Sequence, residues 1–372
     1  MSIDNDPYKE IRPYNDDEIP AALERLINDE SFINAIIKYR FADKPVWFKK
    51  LVSPVIKFYL KLKWSKLKTV DDIQREVESF MGSTLEKTTN GVTYSGLEKL
   101  DKEQSYLFIS NHRDIAMDPA LVNWGLYNNG HRTVRIAIGD NLLKMPCATE
   151  LMKLNKSFIV KRSIKAPREM MKALGLLSSY IKHSLDTNNS IWIAQREGRA
   201  KDGNDMTDPA ILKMFHVEGR RQKIDFPEYI KSLKIVPVAI SYENDPCDLD
   251  KAKELHAIEV HGKYEKSEFE DIQSIIKGII GEKGRVHVSF GDMITDDFAT
   301  PDEVAQELDR QIHNLYRLYP TNLLAAGKQN DAITDEVQHK FAEKLKSLPD
   351  GAQQKLVQMY ANPVLKKHEA NL

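Results

Sequence analysis

The sequence predicts an α/β protein in which a mixed, largely parallel sheet is covered by helices, with helical segments at both ends. Short β-rich runs alternate with helical patterns over residues 91–300, as expected of a sheet whose strands are joined by helices. Before and after this region, apolar residues recur every three or four positions. The predicted organisation is therefore a helical N-terminal segment (1–90), an α/β domain (91–300) and a C-terminal helical extension (301–372).

Composition and charge narrow the class of protein. The hydrophobic fraction of 41% and charged fraction of 29% are ordinary for a soluble globular protein. A net charge of −1 and a pI near 6.8 argue against a nucleic-acid partner. The two cysteines have neither disulfide-framework nor metal-ligand spacing, and the acidic start resembles no signal peptide. No window reaches the roughly 18 apolar residues of a membrane span, so we expect a cytoplasmic protein.

A basic amphipathic stretch occupies residues 44–70 of the N-terminal segment. It holds eight lysines and no acidic residue, interleaved with aromatic side chains. Ser53-Pro54 predicts a helix start, with serine as the N-cap and proline as the first helical residue. On that helix a basic strip lies on the side opposite an apolar strip. The basic strip is Lys57, Lys61 and Lys68, and the apolar strip is Val55, Phe58, Tyr59 and Leu62.

Two interpretations of residues 44–70 remain open. An interfacial helix would bind the anionic inner face of a membrane peripherally, with each lysine contributing at most about 1 kcal/mol. An ordinary surface helix would pack its apolar side on protein and expose its lysines to water. The interleaved aromatic residues and the absence of acidic residues favour the membrane.

The strands predicted for the α/β domain are short and bounded by turn signals. They are residues 92–94, 106–110, 134–138, 157–161, 190–194, 235–242, 258–261 and 286–290. Helices are predicted over residues 120–127, 167–185 and 269–280 between them, and from Thr300-Pro301 to about Leu318 after them.

A histidine follows one of these strands directly. Residues 106–109 predict a buried strand, and Asp118-Pro119 predicts the capped start of a helix. Loops at the carboxyl ends of parallel strands are where ligands bind in open α/β sheets. His112 therefore lies where a general base is expected, and Asp114 and Asp118 are both near enough to orient its ring.

Asn111-His112-Arg113 followed by Asp118-Pro119 resembles the first block of the glycerophospholipid acyltransferase superfamily. That superfamily includes glycerol-3-phosphate and lysophosphatidate acyltransferases, and its first block is His, four residues, Asp. Five residues separate His112 from Asp118 here, so the loop carries an insertion if Asp118 is the family aspartate. Asp114 is the alternative.

Three later stretches resemble the remaining blocks, in the family's order. Residues 155–162 resemble the second block, a strand ending in an arginine, here Arg162, that meets the acceptor phosphate. Residues 190–203 resemble the third block, a strand followed by a glycine-arginine turn. Residues 234–242 resemble the fourth block, a strand with an embedded proline near the acyl-donor site. The matching residues of the third and fourth blocks are Glu197, Gly198, Arg199 and Pro237.

The resemblance implies acyl transfer from a thioester, acyl-coenzyme A or acyl carrier protein, to a hydroxyl of glycerol 3-phosphate or lysophosphatidate. His112 would be the general base, with Asp118 or Asp114 orienting it, and Arg162 with Glu197, Gly198 and Arg199 would bind the phosphate. It implies no metal and no cofactor beyond the thioester co-substrate. A catalytically inactive lipid-binding module of the same fold is the alternative, whereas hydrolase and phosphate-loop motifs are absent from the sequence.

Overall fold

The computed structural model describes residues 6–41, 44–267 and 269–371. They form two compact units. The first unit holds the described residues up to Phe80 together with Arg135–Tyr180, and the second holds Met81–Val134 together with the described residues from Ile181 onward.

The described residues form fifteen α-helices and seven strands, numbered in chain order. The strands are β1 (Val92–Ser95), β2 (Leu107–Ser110), β3 (Arg135–Gly139), β4 (Ser157–Val160), β5 (Ile191–Ala194), β6 (Ile235–Tyr242) and β7 (Val286–Phe290). The helices are α1 (Ile19–Asn28), α2 (Glu30–Arg40), α3 (Val46–Trp64), α4 (Val70–Thr88), α5 (Met117–Asn128), α6 (Pro146–Leu154), α7 (Pro167–Asp186), α8 (Pro209–Gln222), α9 (Phe226–Ser232), α10 (Asp248–His261), α11 (Glu270–Ile280), α12 (Pro301–Leu315), α13 (Pro320–Ala325), α14 (Asp335–Lys346) and α15 (Asp350–Glu369).

The second unit contains a mixed sheet in the order β1-β7-β6-β2-β5. β2 pairs in parallel with both β6 and β5, β1 pairs in parallel with β7, and β6 pairs antiparallel with β7. Every residue of β2 and β6 is buried, which explains their continuous apolar runs. Because β2, β5 and β6 run in one direction, their carboxyl ends meet at one edge. The predicted fold class is confirmed.

The first unit contains the parallel pair β3–β4 and an apolar core built by its helices. One cluster of that core joins α1 to α4 and α6, through Ile19, Ala22, Leu23, Leu26, Ile73, Cys147 and Leu154. A second cluster joins α2 to α3, through Ile33, Ile37 and Leu60. The helical periodicity predicted near the N-terminus therefore corresponds to buried faces.

One predicted strand is wrong. Residues 258–261 form the last turn of α10, and Gly262 is the C-cap of that helix. Gly262 has φ of 72°, a left-handed conformation that glycine adopts without strain, and its N–H donates to the Ile258 carbonyl. A four-residue run with two β-branched residues cannot be distinguished from a helix end by periodicity alone.

The helix in the basic stretch also begins earlier than predicted. α3 starts at Val46 with Pro45 as its N-cap, so Pro54 lies inside the helix and Ser53 is not a cap. Lys68 lies beyond the last residue, Trp64, and is not part of the helical strip. The apolar pattern of α3 continues on both sides of Pro54, so the helix runs through this residue. Pro54 removes one helical hydrogen bond but does not end the helix.

Candidate active site

The loop after β2 is fixed to β6 by the first residue outside the strand. The Asn111 amide nitrogen donates to the Ile240 carbonyl at 3.0 Å, and the Asn111 amide oxygen accepts from the Ile240 N–H at 2.8 Å. Asn111 is fully buried. This two-point attachment sets where the chain leaves the sheet, and therefore where His112 begins.

His112 and Asp118 are hydrogen-bonded. The distance from His112 Nδ1 to Asp118 Oδ2 is 2.8 Å, and their side chains are 14% and 0% exposed. Asp118 Oδ2 also accepts from the backbone N–H groups of Arg113 at 2.6 Å and Asp114 at 2.9 Å. Two consecutive backbone N–H groups of the loop therefore bind the same carboxylate oxygen as His112.

Asp114 contacts the helix rather than the histidine. Its Oδ1 accepts from the N–H groups of Ala116 at 3.0 Å and Met117 at 2.8 Å, at the start of α5. The expectation that Asp118 is the N-cap is therefore wrong, because Asp118 is the second residue of α5 and Asp114 binds the free N–H groups instead. Burial, and next the nearby charge of Asp118, raise the pKa of Asp114.

The residue after the histidine is buried and held on two sides. The Arg113 guanidinium donates to Asp205 Oδ2 at 2.7 Å, and the backbone carbonyl of Arg113 accepts from Lys251 Nζ at 2.6 Å. Lys251 also pairs with the buried Asp245. Burial alone would raise the pKa of Asp245, but the Lys251 charge together with the hydrogen bonds from Lys251 and the Cys247 N–H outweighs it, and the pKa is lowered. These contacts hold the backbone beside His112 in place.

The loop after β5 lies directly against His112. The Ala200 N–H donates to the His112 carbonyl at 2.9 Å, so the predicted third block and the histidine are brought together. Gly198, with φ of 76°, makes the turn that a side chain would strain. Arg199 is half-buried with its guanidinium 3.5 Å from Ser274 Oγ, whereas Glu197 is exposed.

The other side of His112 is aromatic. The Trp192 ring meets the imidazole edge to face, with ring centroids 5.7 Å apart. Trp192 Nε1 donates to Ser110 Oγ at 3.0 Å, which fixes the indole. The imidazole is therefore oriented by both a carboxylate and a ring.

Pro237, predicted in the acyl-donor region, lies buried in β6 between β2 and β7. Its carbonyl accepts from the Gly291 N–H at 2.8 Å, one residue after β7 ends at Phe290. The missing N–H of proline therefore falls where the ladder with β7 has stopped, which is the irregular position that proline in a strand requires.

Arg162 belongs to the first unit and is exposed at the end of β4. Its N–H donates to Asp140 Oδ1 at 3.1 Å, and Ser163 donates to Asp140 Oδ2. Burial would raise the pKa of Asp140, but these donors outweigh it and the pKa is lowered.

Sequence reasoning missed Tyr242, Asp205 and Lys251. Tyr242 had a usable signal, because it ends a strand parallel to β2 and so lies at the same sheet edge. Asp205 and Lys251 had none, since neither lies in a recognisable motif.

Across the described parts of the chain, no helix combines the length and apolar character needed to cross a membrane.

No curated protein gave a significant match to the chain. Among solved structures, the crystal structure of the 1-acyl-sn-glycerophosphate (LPA) acyltransferase PlsC from Thermotoga maritima matches, with 14% identity, 78% of this chain and 92% of that chain covered, and a TM-score of 0.38. The family model described as Acyltransferase matches residues 91–241, which include His112, Asp118, Arg199 and Pro237. The resemblance to the acyltransferase superfamily that the sequence predicts is therefore confirmed for this segment.

Proposed function

We propose that the protein is an O-acyltransferase that transfers a fatty acyl group from a thioester to a hydroxyl of lysophosphatidate or glycerol 3-phosphate. The observation that carries this proposal is the 2.8 Å hydrogen bond between His112 Nδ1 and Asp118 Oδ2. A carboxylate accepts hydrogen bonds, so the proton of the neutral imidazole is on Nδ1 and the lone pair is on Nε2. His112 is thus prepared to accept a proton.

The proposed reaction needs no covalent intermediate on the protein. His112 Nε2 takes the proton of the acceptor hydroxyl while the hydroxyl oxygen attacks the thioester carbonyl carbon. The new C–O bond forms, the C–S bond breaks, and the leaving thiolate takes the proton from the imidazolium. Asp118 stabilises the imidazolium between these steps. The thioester, on coenzyme A or acyl carrier protein, is a co-substrate, and the scheme uses neither a metal nor a cofactor.

Arg199 is the proposed phosphate ligand of the second unit. Arg199 precedes Ala200, and the Ala200 N–H donates to the His112 carbonyl. The Arg199 guanidinium therefore extends from the point where the loop after β5 meets the loop that carries His112. Guanidinium groups bind phosphate with two parallel hydrogen bonds. Arg162 is proposed as a further phosphate ligand, on the sequence resemblance of its strand. Replacing Arg199 with Ala is expected to raise KM for a phosphate-bearing acceptor more than it lowers kcat.

We also propose that α3 binds the protein peripherally to the surface of an anionic membrane. Its large apolar side chains Trp47, Leu51, Val55, Phe58, Tyr59 and Leu62 are 57–65% exposed, and the exposed Lys61 lies beside them. The opposite side of the helix, Ile56, Leu60 and Trp64, is packed. A contiguous exposed apolar face marks an interaction surface. Lysines in a stretch of sequence without acidic residues favour anionic lipid, although Lys63 is paired with Glu76 of α4. A location at the cytoplasmic face of the membrane is part of this proposal.

One assay tests the proposed chemistry. The purified protein is offered acyl-coenzyme A or acyl carrier protein thioester with glycerol 3-phosphate and lysophosphatidate in parallel. We expect transfer to one acceptor, and loss of more than about 90% of it in His112→Ala, because a general base contributes roughly 10²–10⁴ in rate. His261→Ala, which changes an exposed histidine at the end of α10, is the control. Vesicle binding without transfer from any of these donors would support the lipid-binding module instead.

A further inference from the structure

Tyr242, the last residue of β6, binds the aspartate that orients the histidine. Its Oη donates to Asp118 Oδ1 at 2.7 Å. Tyr242 is 4% exposed, so water competes little for this bond. Neither the family resemblance nor the sequence motifs give Tyr242 a role.

The two oxygens of Asp118 have different kinds of partner. Oδ2 accepts from His112 Nδ1 and from the N–H groups of Arg113 and Asp114, all on the loop that the carboxylate itself closes. Among the described residues, Oδ1 accepts from Tyr242, which belongs to the sheet. Tyr242 therefore ties the plane of the carboxylate to a rigid element, and prevents its rotation about the Cβ–Cγ bond.

The Tyr242 hydroxyl donates and does not serve as a base. Burial, followed by the negative charges of Asp118 and Asp114, raises the pKa of Tyr242 well above its usual value. The phenol therefore keeps its proton at any pH at which the protein works, and the direction of the hydrogen bond is fixed.

We infer that Tyr242 is a positioning residue for acyl transfer, which acts through Asp118 by fixing the carboxylate oxygen that holds His112 Nδ1. The inference rests on the proposed function. It differs from the established pairing of a histidine with an aspartate because it adds a third member, contributed by the neighbouring strand. Without this bond, only donors on the loop itself hold the carboxylate, and its orientation toward the imidazole is less strictly fixed.

Kinetics of Tyr242→Phe provide the first test. The ring is kept and one hydroxyl is lost, so we expect kcat to fall about tenfold, a part of the rate that general-base catalysis supplies, with KM for the acceptor nearly unchanged. Tyr94→Phe is the matched control, because Tyr94 Oη donates to the Leu121 carbonyl of α5 at 2.9 Å without touching Asp118. Equal kcat values for the two variants at similar thermal stability would overturn the inference.

A double-mutant cycle separates positioning from general loss of structure. In an Asp118→Asn background the carboxylate that Tyr242 positions is already absent. The effect of Tyr242→Phe on kcat is therefore expected to shrink to less than about twofold. An unchanged tenfold effect would mean that Tyr242 acts elsewhere.

Nuclear magnetic resonance of the free protein gives a readout that needs no substrate. The Nδ1 proton of His112, identified by its loss in His112→Ala, is expected to shift upfield and exchange faster with water in Tyr242→Phe, but not in Tyr94→Phe. An unmoved signal would overturn the inference. A moved signal in a protein that transfers no acyl group would support the Tyr242–Asp118–His112 chain and contradict the proposed function alone.

Discussion

The loop that carries His112 and the helix α3 differ in where their side chains find partners. In the loop, Asn111, Asp114 and Asp118 are buried, and each is hydrogen-bonded to backbone groups of the second unit. In α3, six large apolar side chains are more than half exposed although the opposite face is packed. Fixed polar geometry is what a chemical step requires, whereas an unpartnered apolar face is what recognition of a surface requires. On the proposed function, chemistry and membrane binding therefore use separate parts of the chain.

The largest expected effect is on the fixed side of this comparison. Asp118→Asn replaces a carboxylate whose two oxygens accept four hydrogen bonds with a neutral amide that has one acceptor oxygen. We expect kcat at saturating substrates to fall by roughly 10²–10⁴, because the imidazole loses both its orientation and the charge that stabilises the imidazolium.

The control for this variant is Asp208→Asn. Asp208 is the N-cap of α8, where its side chain accepts from the Ala210 N–H, so the variant tests the loss of an aspartate charge away from His112. A similar loss of kcat in both variants would contradict a specific role for Asp118.

The next largest effect is expected on vesicle binding by the exposed apolar face of α3. Phe58→Gln combined with Leu62→Gln removes two large apolar side chains that are 64% and 57% exposed, so stability should hardly change. Burial of such a side chain contributes about 1.5–3 kcal/mol, so we expect vesicle binding to weaken at least about tenfold, in a sedimentation assay with anionic vesicles.

Met171→Gln, at a residue of α7 in the same unit that is 57% exposed, is the control and should bind vesicles like the unchanged protein. Binding that survives the double replacement but is lost at high salt would mean that the lysines act without the apolar face.

The sequence predicts a region well when the interactions that form it join residues close together in the chain. The bounds of β6 and β7 are as predicted, because a continuous apolar run between turn residues is a local signal. The pairing of His112 with an aspartate is also local. By contrast, Asp205, Tyr242 and Lys251 lie 92, 124 and 138 residues from the groups they bind, and no periodicity connects them. The N-cap assigned to Asp118 failed because two aspartates competed for one turn, and only the folded geometry separates them.

A smaller effect on stability is expected where α11 packs on the loop that carries His112. A Cβ added at Gly278 would lie 2.0 Å from Asp114 Oδ2, which is impossible without displacing the carboxylate or the helix. Gly278→Ala should therefore lower the free energy of unfolding by about 1–3 kcal/mol, measured by chemical denaturation.

Gly175, inside α7, has open space at the same position. Gly175→Ala should raise the free energy of unfolding by up to about 1 kcal/mol, because alanine favours the helix. A matching rise in Gly278→Ala would contradict the close packing of α11 on Asp114.

The smallest effect sharpens the difference between the two aspartates. Asp114→Asn keeps an oxygen that can accept from Ala116 and Met117, so kcat should fall less than about tenfold, and less than in Asp118→Asn. Burial and Asp118 raise the pKa of Asp114 above its ordinary 3.8, so the folded state binds this proton more tightly than the unfolded state. The ionised carboxylate therefore destabilises the fold increasingly as pH rises above 3.8, and asparagine avoids that penalty. Relative to the unchanged protein, the variant should gain stability as pH rises above 3.8, measured in denaturation curves at a series of pH values. A larger loss of kcat in Asp114→Asn than in Asp118→Asn would mean that Asp114 orients the histidine during turnover.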